Sequence, residues 1–313
     1  MNRKTARVSI ALCTYNGAEY LVQQMDSILA QTYPIYEIYI SDDRSSDDTV
    51  RIIQEYADKY PFIHYSVNVE NQGYIKNFSL AISKTTGDYV ALADQDDIWT
   101  PDHIEKLIDN IGDKAICVGD CLMVDSEGYS LGKTFSDVKH NLWIPEGDVS
   151  KAYRIIHNAS PYQGASMLIE RGWISRFLPI PDFAGFHDAY LAACASLTKG
   201  IVVIPNIITR YRIHKGQVSK NWEIPITKEL LSRTPFIAYS NKALILDRIL
   251  KERDLLTPEG LAFIEEFKQI MDLDRQKHRF RVLRIKNSHY KEIYSCPTRK
   301  YICLRSIQFL LAK

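Results

Sequence analysis

The 313-residue sequence is poor in cysteine and has no long hydrophobic run, no low-complexity tract and no internal repeat. Each absence excludes a class of protein. The six cysteines, Cys13, Cys117, Cys121, Cys194, Cys296 and Cys303, show no metal-type pairing, because the loose C-x3-C of Cys117 and Cys121 has no second pair to match it. They read as reduced thiols of a cytoplasmic protein, not as a disulfide framework or zinc site. The apolar run Val8–Cys13 is too short for a signal-peptide core or a membrane span. Net charge is also nearly absent, at +1. That balance conceals an asymmetry, since residues 275–313 carry eleven Lys/Arg against the single acid Glu292. A basic tail on an acidic body suits an anionic partner such as a membrane surface. It equally suits a helical cap with a solvated basic face, or a dimer contact. Nucleic acid is not expected, because the basic stretch is isolated and no other motif supports that role.

What is present describes an ordinary folded chain, 46% hydrophobic and 25% charged, with room for one large domain and an appendage. Val8–Cys13, Glu37–Ser41, Phe62–Val67 and Asp88–Ala93 read as strands. Helical spacing follows the first two, at Leu21, Met25, Ile28 and Leu29, then at Val50, Ile53 and Ala57, and a third helix spans Tyr74–Thr85. Thr100-Pro101 has the form of an N-cap and a first-turn proline. The alternation predicts an α/β fold with a mostly parallel sheet and helices on both faces. Beyond it, Ala115–Asp125, Tyr162–Ile169, Ile201–Pro205 and Ile207–Ile213 read as strands, and His187–Lys199 as a helix ended by Gly200. After Trp222 the pattern is helical, roughly Thr227–Arg253 and Pro258–Ile285. The expected division is a catalytic domain over 1–222 and a helical, basic extension over 223–313.

Ligands of such sheets bind where the strands end, and three polar clusters lie there. Asp94-Gln95-Asp96-Asp97 sets three carboxylates directly after a strand, where a Mg²⁺ or Mn²⁺ ion would relieve their repulsion and neutralise a diphosphate. The alternative is an acidic turn with Asp97 capping the next helix; the strand before and the helix after favour the metal. In Asp42-Asp43-Arg44-Ser45-Ser46-Asp47-Asp48-Thr49, Asp43 could accept the imide N–H of a pyrimidine base, whereas Ser46–Thr49 read as a helix cap. Thr14-Tyr15-Asn16-Gly17 is either a base-stacking site or a turn. Asp188 could take a proton from a hydroxyl or merely stabilise a helix dipole. His214 could ligate a metal with Arg212 and Lys215 near phosphate, and Lys76, opening a helix, could face a phosphate or sugar.

The order of these clusters resembles the family-2 glycosyltransferases with the GT-A fold. The segments that carry the resemblance are Ser9–Gly17, Tyr20-Leu21, Ser27–Tyr33, Ser41–Thr49, Asn71–Gly73, Gly87–Val90 and Ala91–Trp99. Over the second half, Gly164–Met167, His187–Leu191 and Tyr211–His214 look like the rhamnosyltransferase-like branch that builds bacterial surface polysaccharides. The resemblance covers about residues 7–216 and implies a nucleotide-sugar donor, a UDP- or dTDP-sugar, and a glycan or lipid-linked acceptor. It implies that Cys13, Thr14, Tyr15, Asn16 and Asp43 hold base and ribose. Asp94 and Asp96 would be the D-x-D pair, with Asp96 the direct ligand of Mn²⁺ or Mg²⁺ and His214 completing the site. Lys76 and Gln95 would lie towards the donor's phosphate or sugar, and Asp188 would be the base of an inverting transfer. Three positions depart from the family pattern. Cys13 stands where Thr or Pro is frequent, Gln95 fills the middle of D-x-D, and His187 precedes Asp188 where Glu is usual. The reduced thiols and the basic tail together give the expectation of a cytoplasmic protein, peripheral at the inner face of the cell membrane where the tail binds that surface. A nucleotidyltransferase is the nearest rival, but Thr14–Glu19 lacks the basic glycine-rich loop that such an enzyme needs. A non-catalytic sugar- or nucleotide-binding module is the other, and the full set of carboxylates argues against it.

Overall fold

The computed structural model describes residues 5–139, 147–157, 160–217 and 239–276, with 281, 282, 284 and 285. Its first half is the expected alternation. Strands β1 (Val8–Thr14), β2 (Ile35–Asp42), β3 (Ile63–Val67) and β4 (Tyr89–Asp94) are parallel, in the order β3-β2-β1-β4. They are joined by α1 (Ala18–Leu29), α2 (Thr49–Lys59) and α3 (Tyr74–Lys84). β1 reads as one apolar run because it is buried on both faces. Ile10 and Leu12 pack with Leu21, Met25 and Ile28 of α1 in one core. Their neighbours Ala11 and Cys13 face Phe78 and Ile82 of α3 in the other, as the two-residue period of a strand requires. Burial of each large aliphatic or aromatic side chain is worth roughly 1.5–3 kcal/mol.

The chain leaves β1 on one side to form β2 and β3, then returns on the other side as β4. The strand order therefore reverses between β1 and β4, and a crevice opens at their carboxyl ends. The second half extends the sheet through β5 (Ile98–Trp99), β6 (Ile116–Val124), β7 (Ser130–Thr134), β8 (Met167–Glu170) and β9 (Ile201–Arg212). Beyond β4 the order is β8-β6-β9-β5, with β7 beside β6. β8 is antiparallel to both neighbours, and β5 is antiparallel to β9. The helices here are α4 (His103–Asn110), α5 (Phe135–Lys139), α6 (Asp148–His157), α7 (Arg171–Ile174) and α8 (His187–Leu197).

Three local expectations are corrected. Ile201–Arg212 is one strand, not two, because the irregular pairing with β6 around Asp120 accommodates Pro205 without a break. The strand expected from Tyr162 begins only at Met167, after a 3₁₀ turn over Gly164–Ser166. Thr100 does not cap α4, which starts at His103, since its hydroxyl bonds to Asp102 and Ile208.

The boundary near residue 222 lies outside the described residues, as does nearly all of the basic segment 275–313. Helices α9 (Tyr239–Leu250) and α10 (Pro258–Arg275) are described, and Leu246, Ile249, Phe263 and Phe267 join the α3–α8 core. Among the described residues no helix is long and apolar enough to cross a membrane.

Asp148 ties this half together. It accepts the backbone N–H of Ile201 at 3.1 Å and pairs with Lys151 at 3.0 Å and Lys114 at 3.1 Å. Burial pushes its carboxyl up, but the Ile201 N–H and the two lysines outweigh it, and the net shift is below the usual range. A depressed folded value means stability that is complete above the unfolded carboxylate range and is lost as pH falls through the folded value. Asp148→Asn is expected to cost about 1–2 kcal/mol at neutral pH and to flatten the acid limb of the stability curve. Urea midpoints of both proteins between pH 7 and pH 3 check it.

Candidate active site

The parallel register builds the site. Cys13 of β1 stands opposite Asp94 of β4 and Ser41 of β2, and Thr14 stands opposite Asp42. Thr14 donates to Asp42 at 2.7 Å, and Asp42 also accepts both the N–H and the hydroxyl of Ser45. Asn16, at φ 48°, donates its N–H to Ser45 Oγ and accepts the N–H of Ser46. Asp47 accepts from Ala18 and Thr49. The β1–α1 and β2–α2 loops are thus laced into one unit. Thr14 and Asn16 contribute to that lacing, while the Tyr15 ring stays 48% exposed.

Asp43 is buried and already holds three donors. Its oxygens accept Asn68 Nδ2 at 2.9 Å and the backbone N–H groups of Gln72 and Gly73 at 2.8 Å each. Asn68 also donates to Asn77 of α3, which bonds Ser41 in both directions. The candidate base-reading carboxylate is therefore rigidly fixed to the α3 entry. Asn68, unremarkable in the sequence, carries this brace.

The segment after β4 is the most charged part of the crevice. Burial, then the charges of Asp96 and Asp188, push the Asp94 carboxyl upward. Burial, then Asp94 and Asp43, do the same to the Cys13 thiol. These influences place Cys13, Asp43, Asp94, Asp96 and Asp188 in one electrostatic neighbourhood. The Gln95 amide bridges to the end of β1, accepting the Tyr15 N–H at 2.8 Å and donating to the Tyr15 carbonyl at 3.0 Å. Asp97 is fully buried and accepts the Arg212 N–H at 3.0 Å.

The short β5–β9 ladder brings the far end of the chain to this segment. His214 Nε2 lies 2.8 Å from Asp96 Oδ2, across 118 residues of sequence, and its ring packs on Tyr20 at 4.7 Å. Arg212 does not reach out towards a phosphate as expected. Its guanidinium is enclosed, donating to the Asp96 and Ser126 carbonyls and to Gln23, and lying 4.7 Å over the Tyr20 ring. It braces the acidic turn from behind.

Asp188 lies in the first turn of α8, where it accepts the Ala189 N–H at 2.6 Å. Lys76 points towards the α8 lead-in, 3.3 Å from Asp182, with both side chains at least half exposed. The fold thus gathers Cys13, Thr14, Asp43, Asp94, Asp96, Asp188 and His214. Gln95 and Asn16 serve the loops, and Lys76 stands in an ion pair at the rim.

A metal is testable against these residues. Among the described residues no three His, Cys, Asp or Glu groups form a cage that could hold an ion. Asp96 and His214 supply two converging ligand atoms beside crowded carboxylates. That number suits Mg²⁺ or Mn²⁺, which take one or two carboxylates and complete their shell with substrate phosphate and water. The residues present fit such an ion.

A strand-order switch lined by these carboxylates, in a mostly parallel sheet whose second half is mixed through the antiparallel β8 and β5, defines a glycosyltransferase of GT-A fold. Residues 9–177 match the glycosyl transferase family 2 profile, and the chain belongs to that family. An uncharacterized glycosyltransferase of Haemophilus influenzae is 27% identical over 260 residues, 80% of this chain and 79% of that protein. The putative teichuronic acid biosynthesis glycosyltransferase TuaG of Bacillus subtilis is 35% identical over 102 residues, 33% of this chain and 40% of TuaG. Among solved structures, S. aureus TarS 1-349 in complex with UDP has a TM-score of 0.59 at 18% identity, covering 83% of this chain and 70% of that one. The mannosyltransferase PcManGT of Pyrobaculum calidifontis, in complex with GDP-Man and Mn²⁺, has a TM-score of 0.54 at 15% identity, covering 98% and 88%. At those identities the two structures support the fold alone.

Proposed function

We propose that this glycosyltransferase moves a sugar, with inversion, from a UDP- or dTDP-sugar to a hydroxyl of a glycan or lipid-linked acceptor in bacterial polysaccharide assembly. The observation that carries this reading is the convergence of Asp43, the Asp96–His214 pair and Asp188 on one crevice from four separate stretches of chain. TarS bound to UDP, PcManGT bound to GDP-Man and Mn²⁺, and the teichuronic acid role in the name of TuaG support it.

In this reading Asp43, held rigid by Asn68, Gln72 and Gly73, presents a fixed acceptor to the base. Cys13 and Tyr15 flank the base and ribose. Asp96 and His214, with Asp94 beside them, would hold a Mn²⁺ or Mg²⁺ ion, which when bound supplies positive charge against the diphosphate. Asp188 takes the proton of the acceptor hydroxyl as that oxygen bonds to the anomeric carbon. The bond from that carbon to the diphosphate breaks, and the nucleoside diphosphate leaves with the electron pair. The basic segment 275–313 is proposed to lie on an anionic membrane surface, where a lipid-linked acceptor would be met.

The donor site is tested by thermal stability with UDP, TDP, GDP and ADP, each with and without Mn²⁺. At a hundred times the dissociation constant a ligand adds about 2.7 kcal/mol. The expected result is a rise in Tm with UDP or TDP that requires Mn²⁺. No shift with any nucleotide would remove the donor site.

A further inference from the structure

The aromatic rings at the entry to α8 form an ordered stack for which the steps above have no use. His187 lies on Phe78 with ring centroids 3.9 Å apart and 17° from parallel. Tyr74 meets His187 edge-on at 6.2 Å, and Phe186 rests against Tyr74 at 6.0 Å and 30°. Exposure rises sharply along this stack, from 2% at Phe78 and 7% at His187 to 46% at Phe186. The Tyr74 hydroxyl donates to the Gly185 carbonyl, which pins α3 to the α8 lead-in. Gly185 turns the chain at φ 79°, a left-handed conformation that glycine adopts without strain. The Phe186 ring is therefore held from beneath by a rigid partner and left open above.

Two further features describe this place, an uncharged base beneath the stack and a polar setting around its open end. Neither ring nitrogen of the buried His187 has a hydrogen-bond partner among the described residues, and burial pushes this imidazole down to about 3, so it is neutral. Gly164 abuts it so closely that a Cβ there would sit 2.7 Å from Nε2. The second feature is the surroundings of Phe186, which are polar. The Asp188 charge acts on Tyr74, the ring on which Phe186 rests, and the exposed Lys76–Asp182 pair joins the same two segments, the start of α3 and the α8 lead-in. One open aromatic face inside a polar rim does not suit a lipid chain, which needs a continuous apolar groove. It suits a pyranose, whose C–H bonds on one face meet the negative face of the ring while its hydroxyls reach the polar rim.

We propose that Phe186, backed by Tyr74, is the platform on which the acceptor's sugar ring stacks, with one hydroxyl turned to Asp188. This deepens the reading of Asp188 as the base and rests on it. The acceptor is then a pyranoside, and Phe186 sets which ring face is presented.

Saturation-transfer NMR tests it, with methyl α- and β-pyranosides of glucose, galactose, N-acetylglucosamine and rhamnose as probes, UDP and diamagnetic Mg²⁺ being present. At least one glycoside is expected to receive saturation mainly on the C–H protons of one ring face. Phe186→Tyr should keep this pattern. Phe186→Leu, which retains apolar bulk without the ring, should raise the apparent dissociation constant by about threefold to tenfold, the range of one aromatic contact. The UDP signal should be equal in all three proteins, which also shows that the variants are folded. No glycoside signal in the parent protein, or equal signals in parent and Leu variant, would overturn the platform. Asp188→Asn should keep the glycoside signal, so a wrong base assignment would appear in that variant's turnover and not in this measurement.

Discussion

Asp188→Asn is expected to lower kcat by about 10²–10⁴-fold, the usual worth of a positioned general base, while donor binding is unchanged. The amide has the shape of the carboxylate and can still accept the Ala189 N–H from its Oδ1 position, so the first turn of α8 should keep its form. What it cannot do is accept the hydroxyl proton. The loss should therefore fall on kcat and kcat/KM together, as it does when an interaction is made only in the transition state. The Mn²⁺-dependent nucleotide shift in Tm should match that of the parent protein. Two results would count against the assignment: near-normal turnover, or a lost nucleotide shift, which would make Asp188 a donor ligand. Asp188→Glu is a useful companion. It restores the carboxylate with a longer stem and should recover part of the rate if position is the limit.

Much of this site was legible in the sequence because it is built from strand ends. A buried parallel strand reads as a continuous apolar run, and the residues after it must lie at the carboxyl edge. Thr14, Asp43 and Asp94 were located in that way, and Cys13 by the resemblance; the register sets Cys13 beside Asp94, and the Asp43 N–H donates to the Thr14 carbonyl. The three-residue reach of helix and strand periodicity stops there. The two-residue strand β5 has no period of its own, yet its pairing with Thr209 and Arg210 delivers Arg212 and His214 to the acidic turn. The residues around His214 offered it only as one possible metal ligand, and the resemblance alone joined it to Asp96. Arg212 looked like a phosphate ligand because an exposed-looking Arg beside His and Lys usually binds anions. Only the fold shows that it is 2% exposed and shared among three acceptors. Pro205 was misleading in the opposite sense, since a missing N–H ends a strand unless the ladder is already irregular at that point. Phe186 drew no notice, because a single aromatic before a helix carries no period, and its exposure is a tertiary fact.

The second large effect is expected at Asp96. Asp96→Asn preserves an acceptor for His214 Nε2, now 2.8 Å from the carboxylate, but removes one of the charges that crowd Asp94. If Asp96 were only a structural partner of His214, the substitution would leave turnover nearly unchanged. If it is the principal ligand of a divalent ion, turnover should fall by about 10³-fold or more, since the ion's contribution amounts to several kcal/mol of charge stabilisation. The Mn²⁺-dependent part of the nucleotide shift should vanish with it. The sign of the metal-free effect separates these readings further. Removing one of several apposed carboxylates relieves repulsion that only a cation otherwise offsets, so Tm without metal should stay level or rise. A functional site kept at some cost to stability behaves in this way. His214→Gln should show the same loss of metal response, because the two side chains would share one ion, and the double variant should be little worse than either single one. A lower metal-free Tm together with an intact Mn²⁺ response would assign Asp96 to the scaffold and leave the diphosphate to other groups.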